Sequence, residues 1–581
     1  MRNHLLSAIL LLLMISIPAL SRPKTIRIDI VATTDVHGSF FPIDHVTNRP
    51  VSGGMSRVAH YVDSLRKANP DGVILLDNGD ILQGQPLCYY FNYLHPEREN
   101  IASSCLNYLR YDAITWGNHD IETGHDVYDK FRKETTCPAL GANIIRRDTG
   151  VPYLNPYTII ERRGVRVAVI GLLTAAVPYW LQEEKWSGMY FENSLEAARH
   201  WVEYVKTVEK PDIIVGLFHS GLEGGISTPD YEENDVMRIA RETGGFDIIF
   251  FGHDHRSHIS RMTGPDQKSV LLLNSASQAK YLSKVTVTIQ KKRRRVVGCD
   301  IKGEIADIRN IPVDEAYMSH FAAAADDVAA WSQRRIGRTE TTLRSADCFF
   351  GSSAFTDLMH NLQLKLTGAD VSIAAPLTLN TVIERGDITV ADLFKLYRFE
   401  NTLYTMRMTG REILRHLEMS YDLWTNTMRG PDDHIMRLDS LSVNDNQREG
   451  FAHPFYNFDS AAGIDYVVDV TKPDGEKVSI IGMSDGTPFS LDRQYNVVMN
   501  SYRANGGGEL ITRGAGIPRD SIESRIIKRS DKDFRFYLMQ EIERLDVIAP
   551  RPNENWRFIP DEWTVPALRR DRQLLFNSLH R

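Results

Sequence analysis

The chain has 581 residues, 42% hydrophobic and 25% charged, values of a folded globular protein that exclude a disordered chain and a single small domain. Lys and Arg number 68 against 75 Asp and Glu, a net charge of −7. No general basic field exists to hold polynucleotide phosphates, so long nucleic acids are not expected as partners.

Residues 1–21 read as an export signal: Arg2 and His4 precede the apolar run 5–17, and Ala19-Leu20-Ser21 offers small residues for cleavage. The mature chain is expected to begin at Arg22 in a periplasmic or secreted location. The run is short for a bilayer span, no later segment offers about 20 uncharged apolar residues, and no cysteine follows for lipid attachment, so no membrane anchor is expected. Cys88, Cys105, Cys137, Cys299 and Cys348 are an odd set, spaced unlike a zinc knuckle. They are expected to be buried thiols with room for one disulfide.

From residue 26 onward, short β-rich apolar runs at 26–32, 73–76, 113–115, 165–173, 213–218 and 248–251 alternate with helical stretches at 56–68, 194–209 and 235–243. This is the layout of helices packed over sheet. Runs 285–289 and 296–301 flank a stretch with five adjacent cations, Lys291 to Arg295, which reads as a hairpin with a solvated basic tip. Residues 314–333, with four alanines at 322–325, predict one bridging helix. The expected division is a first domain at 22–312, a linker helix at 313–335, a second domain at 336–548 that begins with a helix at 353–367, and a Pro- and Arg-rich tail at 549–581 lying along the surface.

The informative pattern is where metal-ligand residue types fall. Asp35 and His37 follow the first run, Asp80 the second, Asn118 and His119 the third; His219 ends the fifth, and His253 and His255 follow the sixth. Loops at strand carboxyl ends share one face of an α/β sheet, so these residues converge. Oxygen and imidazole donors without cysteine suit two divalent ions, Zn, Mn, Fe or Co. Two ions need a bridging ligand with two oxygens, and Asp80, between the two groups, is the candidate.

These residues carry a resemblance. Thr34-Asp35-Val36-His37-Gly38, Asn78-Gly79-Asp80, Gly117-Asn118-His119-Asp120, Phe218-His219-Ser220-Gly221 and Gly252-His253-Asp254-His255 resemble, in order, the motifs of the calcineurin-like metallophosphoesterases. The second half resembles the 5′-nucleotidase C-terminal domain through Tyr397-Arg398-Phe399-Glu400-Asn401-Thr402-Leu403, Met408-Thr409-Gly410 and Tyr502-Arg503-Ala504-Asn505-Gly506-Gly507. The resemblance implies an α/β (α+β) chain: a metallophosphoesterase sandwich of sheets flanked by helices, then an α+β substrate-binding domain, with a nucleotide held between them. Tyr456-Asn457-Phe458-Asp459, Val468-Asp469-Val470-Thr471 and Leu417-Glu418-Met419-Ser420 look more like the branch that hydrolyses 2′,3′-cyclic nucleotides and 3′-nucleotides. Leu510 stands where plain 5′-nucleotidases carry an aromatic. The alternatives are a 5′-nucleotidase that also splits nucleotide-sugar pyrophosphates, and an inactive exported nucleotide-binding module.

By resemblance, Asp35, His37, Asp80 and His255 hold one ion and Asp80, Asn118, His219 and His253 the other. His119 then stays free of metal to stabilise or protonate the leaving group, oriented by Glu122 where the family usually has Asp. Tyr456 and Phe458 are candidates to clamp the base, with Tyr502 third; Arg503, Asn505, Asn401 and Arg398 are polar candidates for sugar or phosphate.

Overall fold

The computed structural model describes residues 23–292, 295–443 and 449–577; the expected export signal at 1–21 lies outside them. The first half is built on two six-stranded sheets. One runs, edge to edge, Arg295–Asp307, Tyr281–Lys292, Lys24–Thr33, Val73–Asp77, Ala113–Thr115 and Ala139–Leu140. The other runs Ser257–Thr263, Ser269–Ser275, Ile248–Phe251, Ile213–His219, Val165–Leu173 and Tyr157–Arg162.

Period-2 alternation explains why the central runs are apolar throughout. Ile28, Ile30, Val215 and Leu217 point between the sheets into a shared core, while Val31 packs outward under helix Met55–Ala68 and Ile214 and Phe218 under helix Ser194–Tyr204. The central strands of each sheet are therefore buried on both faces, in a sandwich with helices outside. Within each sheet the central strands are parallel and end level: Thr33 lies opposite Asp77, Leu76 opposite Ala113, and Phe218 opposite Phe251. Their following loops emerge together at one end.

The expected bridging helix is two, Glu315–His320 and Ala322–Ser332, broken at Phe321. Phe321 turns into an aromatic cluster with Tyr317 and Tyr108, and that packing outweighs the helix propensity of the alanines. The basic hairpin forms from Tyr281–Lys292 and Arg295–Asp307. Lys291 is no free tip charge, because its ammonium pairs with Asp212 at 2.5 Å. No disulfide forms: all five cysteines are unpaired, and Cys299 is exposed.

The second half carries a five-stranded sheet, Ser460–Ala462, Val371–Ala374, Gln494–Asn500, Thr402–Thr409 and Ile526–Asp533. Helix Ala354–Thr367 starts on the Ser353 hydroxyl, which accepts from the Thr356 amide, and stops at Gly368 with φ +67°. The surface tail expected at 549–581 is corrected. Strand Trp556–Ile559 pairs in parallel with Ile464–Asp469, and Trp556 and Phe558 are buried in the second core. Two aromatics at period-2 spacing outweigh the flanking prolines and arginines, which composition alone made look like surface. Among the described residues, no helix is long and apolar enough to cross a membrane.

Candidate metal centre

The strand-end loops of both sheets meet at one place, and all seven ligand-type side chains come together there. Asp35, His37, Asp80 and His255 offer donor atoms within 4.8 Å of one another. His37 Nε2 and His255 Nε2 stand 3.0 Å apart, and His255 Nε2 lies 3.2 Å from Asp35 Oδ1. On the other side, His253 Nδ1 is 2.8 Å and His219 Nε2 3.2 Å from Asn118 Oδ1.

Asp80 lies between the groups. Its Oδ1 accepts from the His119 amide at 2.8 Å, while Oδ2 is buried, accepts no hydrogen bond, and stands 3.2 Å from His219 Nε2 and 3.9 Å from His37 Nε2. A buried carboxylate oxygen without a hydrogen or a cation is costly. The histidine tautomers agree with the same demand. His219 Nδ1 donates to the Asn78 carbonyl at 2.7 Å and His37 Nδ1 to the Gln83 carbonyl at 3.1 Å, which turns each Nε2 toward Asp80. Burial and the neighbouring His255 lower the His37 pKa to about 3, so its ring is neutral and available as a ligand. The donor set fits two divalent cations with Asp80 between them.

Holding these side chains inward strains the backbone. Asp35, His37, Asp80, His253 and His255 all have positive φ, between 47° and 73°. Such strain persists only where surroundings over-determine it. Asp120 supplies part of that constraint: its carboxylate accepts from the amides of Asp80, Ile81, Leu82 and Gly117 at 2.8–3.0 Å. The motif glycines are spaces for ligands, since a Cβ on Gly117 would strike Asp80 Oδ1 and one on Gly252 would strike Thr34 and Asp35.

His119 offers its ring beside the cluster, 5.4 Å from the His37 ring, with Nδ1 2.8 Å from Glu122 Oε2. The longer Glu122 therefore does reach the imidazole. Burial opposes a charge on His119, but Asp80 and Glu122 outweigh it and raise its pKa to about 9.

Two residues escaped the reading of the sequence. Asp120 looked like part of a motif without a task, because its partners are amides that carry no sequence signal. Glu233 accepts from His253 Nε2 at 3.0 Å, from the short strand Glu232–Asn234, and nothing in its local sequence marks it.

The second-domain candidates separate. Tyr456 and Tyr502 are partly buried, and burial raises the Tyr502 hydroxyl pKa against the opposing charge of Arg503. Phe458 is corrected as a base clamp: it is wholly buried, stacked on Trp424 at 5.4 Å within the second core. Tyr456 sits in the 3₁₀ turn Phe455–Asn457 that leads into Phe458, and at three residues per turn the two rings leave the chain in different directions. Arg503 is also corrected as a direct substrate ligand, being 3% exposed and ion-paired with Asp459. Asn401 is buried, and its backbone carbonyl accepts from Phe534; Arg398 is exposed. Leu510 is fully buried.

The profile of the calcineurin-like phosphoesterases matches residues 28–257, and that of the 5′-nucleotidase C-terminal domain matches 335–513. The chain is a calcineurin-like phosphoesterase joined to a 5′-nucleotidase C-terminal domain. It is 27% identical over 93% of its length to the trifunctional nucleotide phosphoesterase protein YfkN of Bacillus subtilis, of which it spans 39%. It is 24% identical over 93% of its length to the 2′,3′-cyclic-nucleotide 2′-phosphodiesterase/3′-nucleotidase of Haemophilus influenzae, of which it spans 89%. Its fold matches a crystal structure described as a putative 5′-nucleotidase of Staphylococcus aureus, with TM-score 0.76, 21% identity, and coverage of 92% of this chain and 100% of that one. As a calcineurin-like phosphoesterase, the protein is a phosphoester hydrolase whose cofactors are two divalent metal ions.

Proposed function

We propose that this phosphoesterase, exported to the periplasm or beyond, opens 2′,3′-cyclic nucleotides and hydrolyses 3′-nucleotides to nucleosides and phosphate. The observation that carries the chemistry is the buried, unpartnered Asp80 Oδ2 between two histidine groups. A nucleotide substrate is supported by the name of the Bacillus relative, a nucleotide phosphoesterase, and the choice of ester by that of the Haemophilus relative and by the Tyr456–Asp459 run. Export rests on the character of residues 1–21.

Asp35, His37 and His255 with Asp80 would hold one cation, and Asn118, His219 and His253 with Asp80 the other. Divalent cations there supply Lewis acidity, drawing charge from phosphoryl oxygens and acidifying water. Asp120 keeps the Asp80 loop in its strained conformation, and the Asn78 and Gln83 carbonyls fix the ring tautomers. His119, held through Nδ1 by Glu122, keeps Nε2 for handing a proton to the leaving ribose oxygen. Stacking of the base between second-domain aromatics, Tyr456 and Tyr502, adds roughly 1–3 kcal/mol per stacked base. The clamp has to bring the 2′ and 3′ oxygens, rather than the 5′ end, to the metal centre.

Phosphate release from 2′,3′-cyclic AMP, 3′-AMP and 5′-AMP, with and without a chelator, tests this reading. Chelator-sensitive turnover of the first two is expected. Efficient hydrolysis of 5′-AMP with the other two untouched would make the protein a 5′-nucleotidase instead.

A further inference from the structure

Both terminal nitrogens of the Arg503 guanidinium donate hydrogen bonds to protein, and Nε, which makes no hydrogen bond, stands in ion-pair contact. Nε lies 2.7 Å from Asp459 Oδ2, and Nη2 lies 3.2 Å from Asp459 Oδ1 and donates to the Tyr456 carbonyl at 2.8 Å. Nη1 donates to Asn457 Oδ1 at 3.1 Å and to the Gly507 carbonyl. One buried cation thus ties the 456–459 loop, which carries Tyr456, to the 502–508 loop, which carries Tyr502. Arg's planar fork suits this task in a way a Lys ammonium cannot, because its four hydrogen bonds to protein acceptors lie in fixed directions.

The glycine run is built around the same knot. A Cβ on Gly507 would meet the Tyr502 ring, and one on Gly508, at φ +69°, would strike Asn457 Oδ1 and Arg503 Nη1. The run is the close wrapping of a guanidinium and a tyrosine face, and it cradles no phosphate. Asp459 is anchored in turn by His416 Nε2 at 2.8 Å, from the buried face of helix Gly410–Trp424. The knot is therefore referenced to the rigid core of the domain.

We infer that Arg503 is a positioning residue for base recognition, setting the separation and mutual orientation of Tyr456 and Tyr502 without touching the substrate. This rests on the nucleotide reading above. It makes Arg503 and Asp459 determinants of specificity for esters that carry a flat base over esters that carry none.

The test compares 3′-AMP with glycerol phosphate in the wild type, R503K and N457A, each with and without Y456A, alongside thermal unfolding. N457A removes one contact and leaves the Arg503–Asp459 ion pair, so it remains informative if R503K folds poorly. For both variants KM for 3′-AMP is expected to rise about tenfold with kcat changing less than about twofold, because stacking acts on ground and transition states alike. The ratio of kcat/KM for 3′-AMP to that for glycerol phosphate should fall by the same factor. In the Y456A background neither variant should raise KM further, since the residue it positions is gone. Equal losses on both esters, effects fully additive with Y456A, or an unchanged KM would overturn the inference while leaving nucleotide hydrolysis intact. A wild type that cleaves glycerol phosphate but no nucleotide would overturn the nucleotide reading itself.

Discussion

Asp80 carries three demands at once: a positive φ, an amide on one oxygen, and an unpartnered second oxygen between two histidine groups. Removing it deprives both groups of their shared acceptor. Asp80→Ala is expected to lower bound metal well below two ions per chain and to abolish phosphate release; a folded variant with two tightly held ions by metal analysis would refute the bridging role. His119 is different, because its Nδ1 is committed to the Glu122 carboxylate. His119→Ala should keep both ions and lose about 10²–10⁴-fold in kcat, the usual worth of a positioned proton donor. Loss of metal in that variant would show it to be a ligand. Both roles were legible as residue types after strands, whereas the orphaned oxygen and the Glu122 contact are distances that only folding creates.

At the scale of elements, the loop 78–82 is held by a carboxylate that looks unremarkable in sequence. Asp120→Ala leaves four buried amides without an acceptor, and each lost charge-assisted hydrogen bond costs about 1.5–3 kcal/mol before relaxation. A loss of at least about 3 kcal/mol in denaturant unfolding is expected, with weakened metal binding because the Asp80 loop is released. The start of helix Val236–Glu242 shows the opposite case. Asp235 is buried there, neither of its oxygens accepts a hydrogen bond, and the Arg238 guanidinium stands 3.8 Å away. Burial raises its pKa from 3.8 to about 7, so the folded chain holds a proton that the unfolded chain has already lost. Its contribution to stability is therefore greatest at low pH and falls as pH rises from about 4 to 7. Asp235→Asn should flatten that slope and add about 1–2 kcal/mol at pH 8, read from unfolding curves at pH 5 and 8.

Across the whole molecule, the last strand closes the second domain. Trp556 stacks on Tyr466 at 5.9 Å in a core shared with Tyr421 and Trp424, so Trp556→Ala should cost about 3–5 kcal/mol in a two-state unfolding measurement. A cost below about 1 kcal/mol would return the tail to the surface. The two halves are also fastened to each other around the metal centre. Gln83, whose carbonyl orients His37, donates its side-chain amide to Glu400 at 3.3 Å; Gln182 donates to Thr402 at 2.8 Å and Tyr89 to Asp533 at 3.1 Å. The loop 397–403 thus reaches the first half beside the site rather than standing apart as a separate module.

Reading the chain alone determined the strand runs, the helices over them and the seven ligand-type residues, because apolar periodicity and turn position are local properties that survive into the fold. Local pattern also marked Tyr456 and Phe458 together, although the 3₁₀ turn Phe455–Asn457 sends the two rings in different directions. Which one did so was decided by Trp424, some thirty residues away in the chain. The break at Phe321, the burial of Trp556, the task of Asp120 and the engagement of Arg503 were likewise decided by tertiary structure. Each depends on partners distant in sequence, and packing free energy and hydrogen-bond geometry act only once those partners meet.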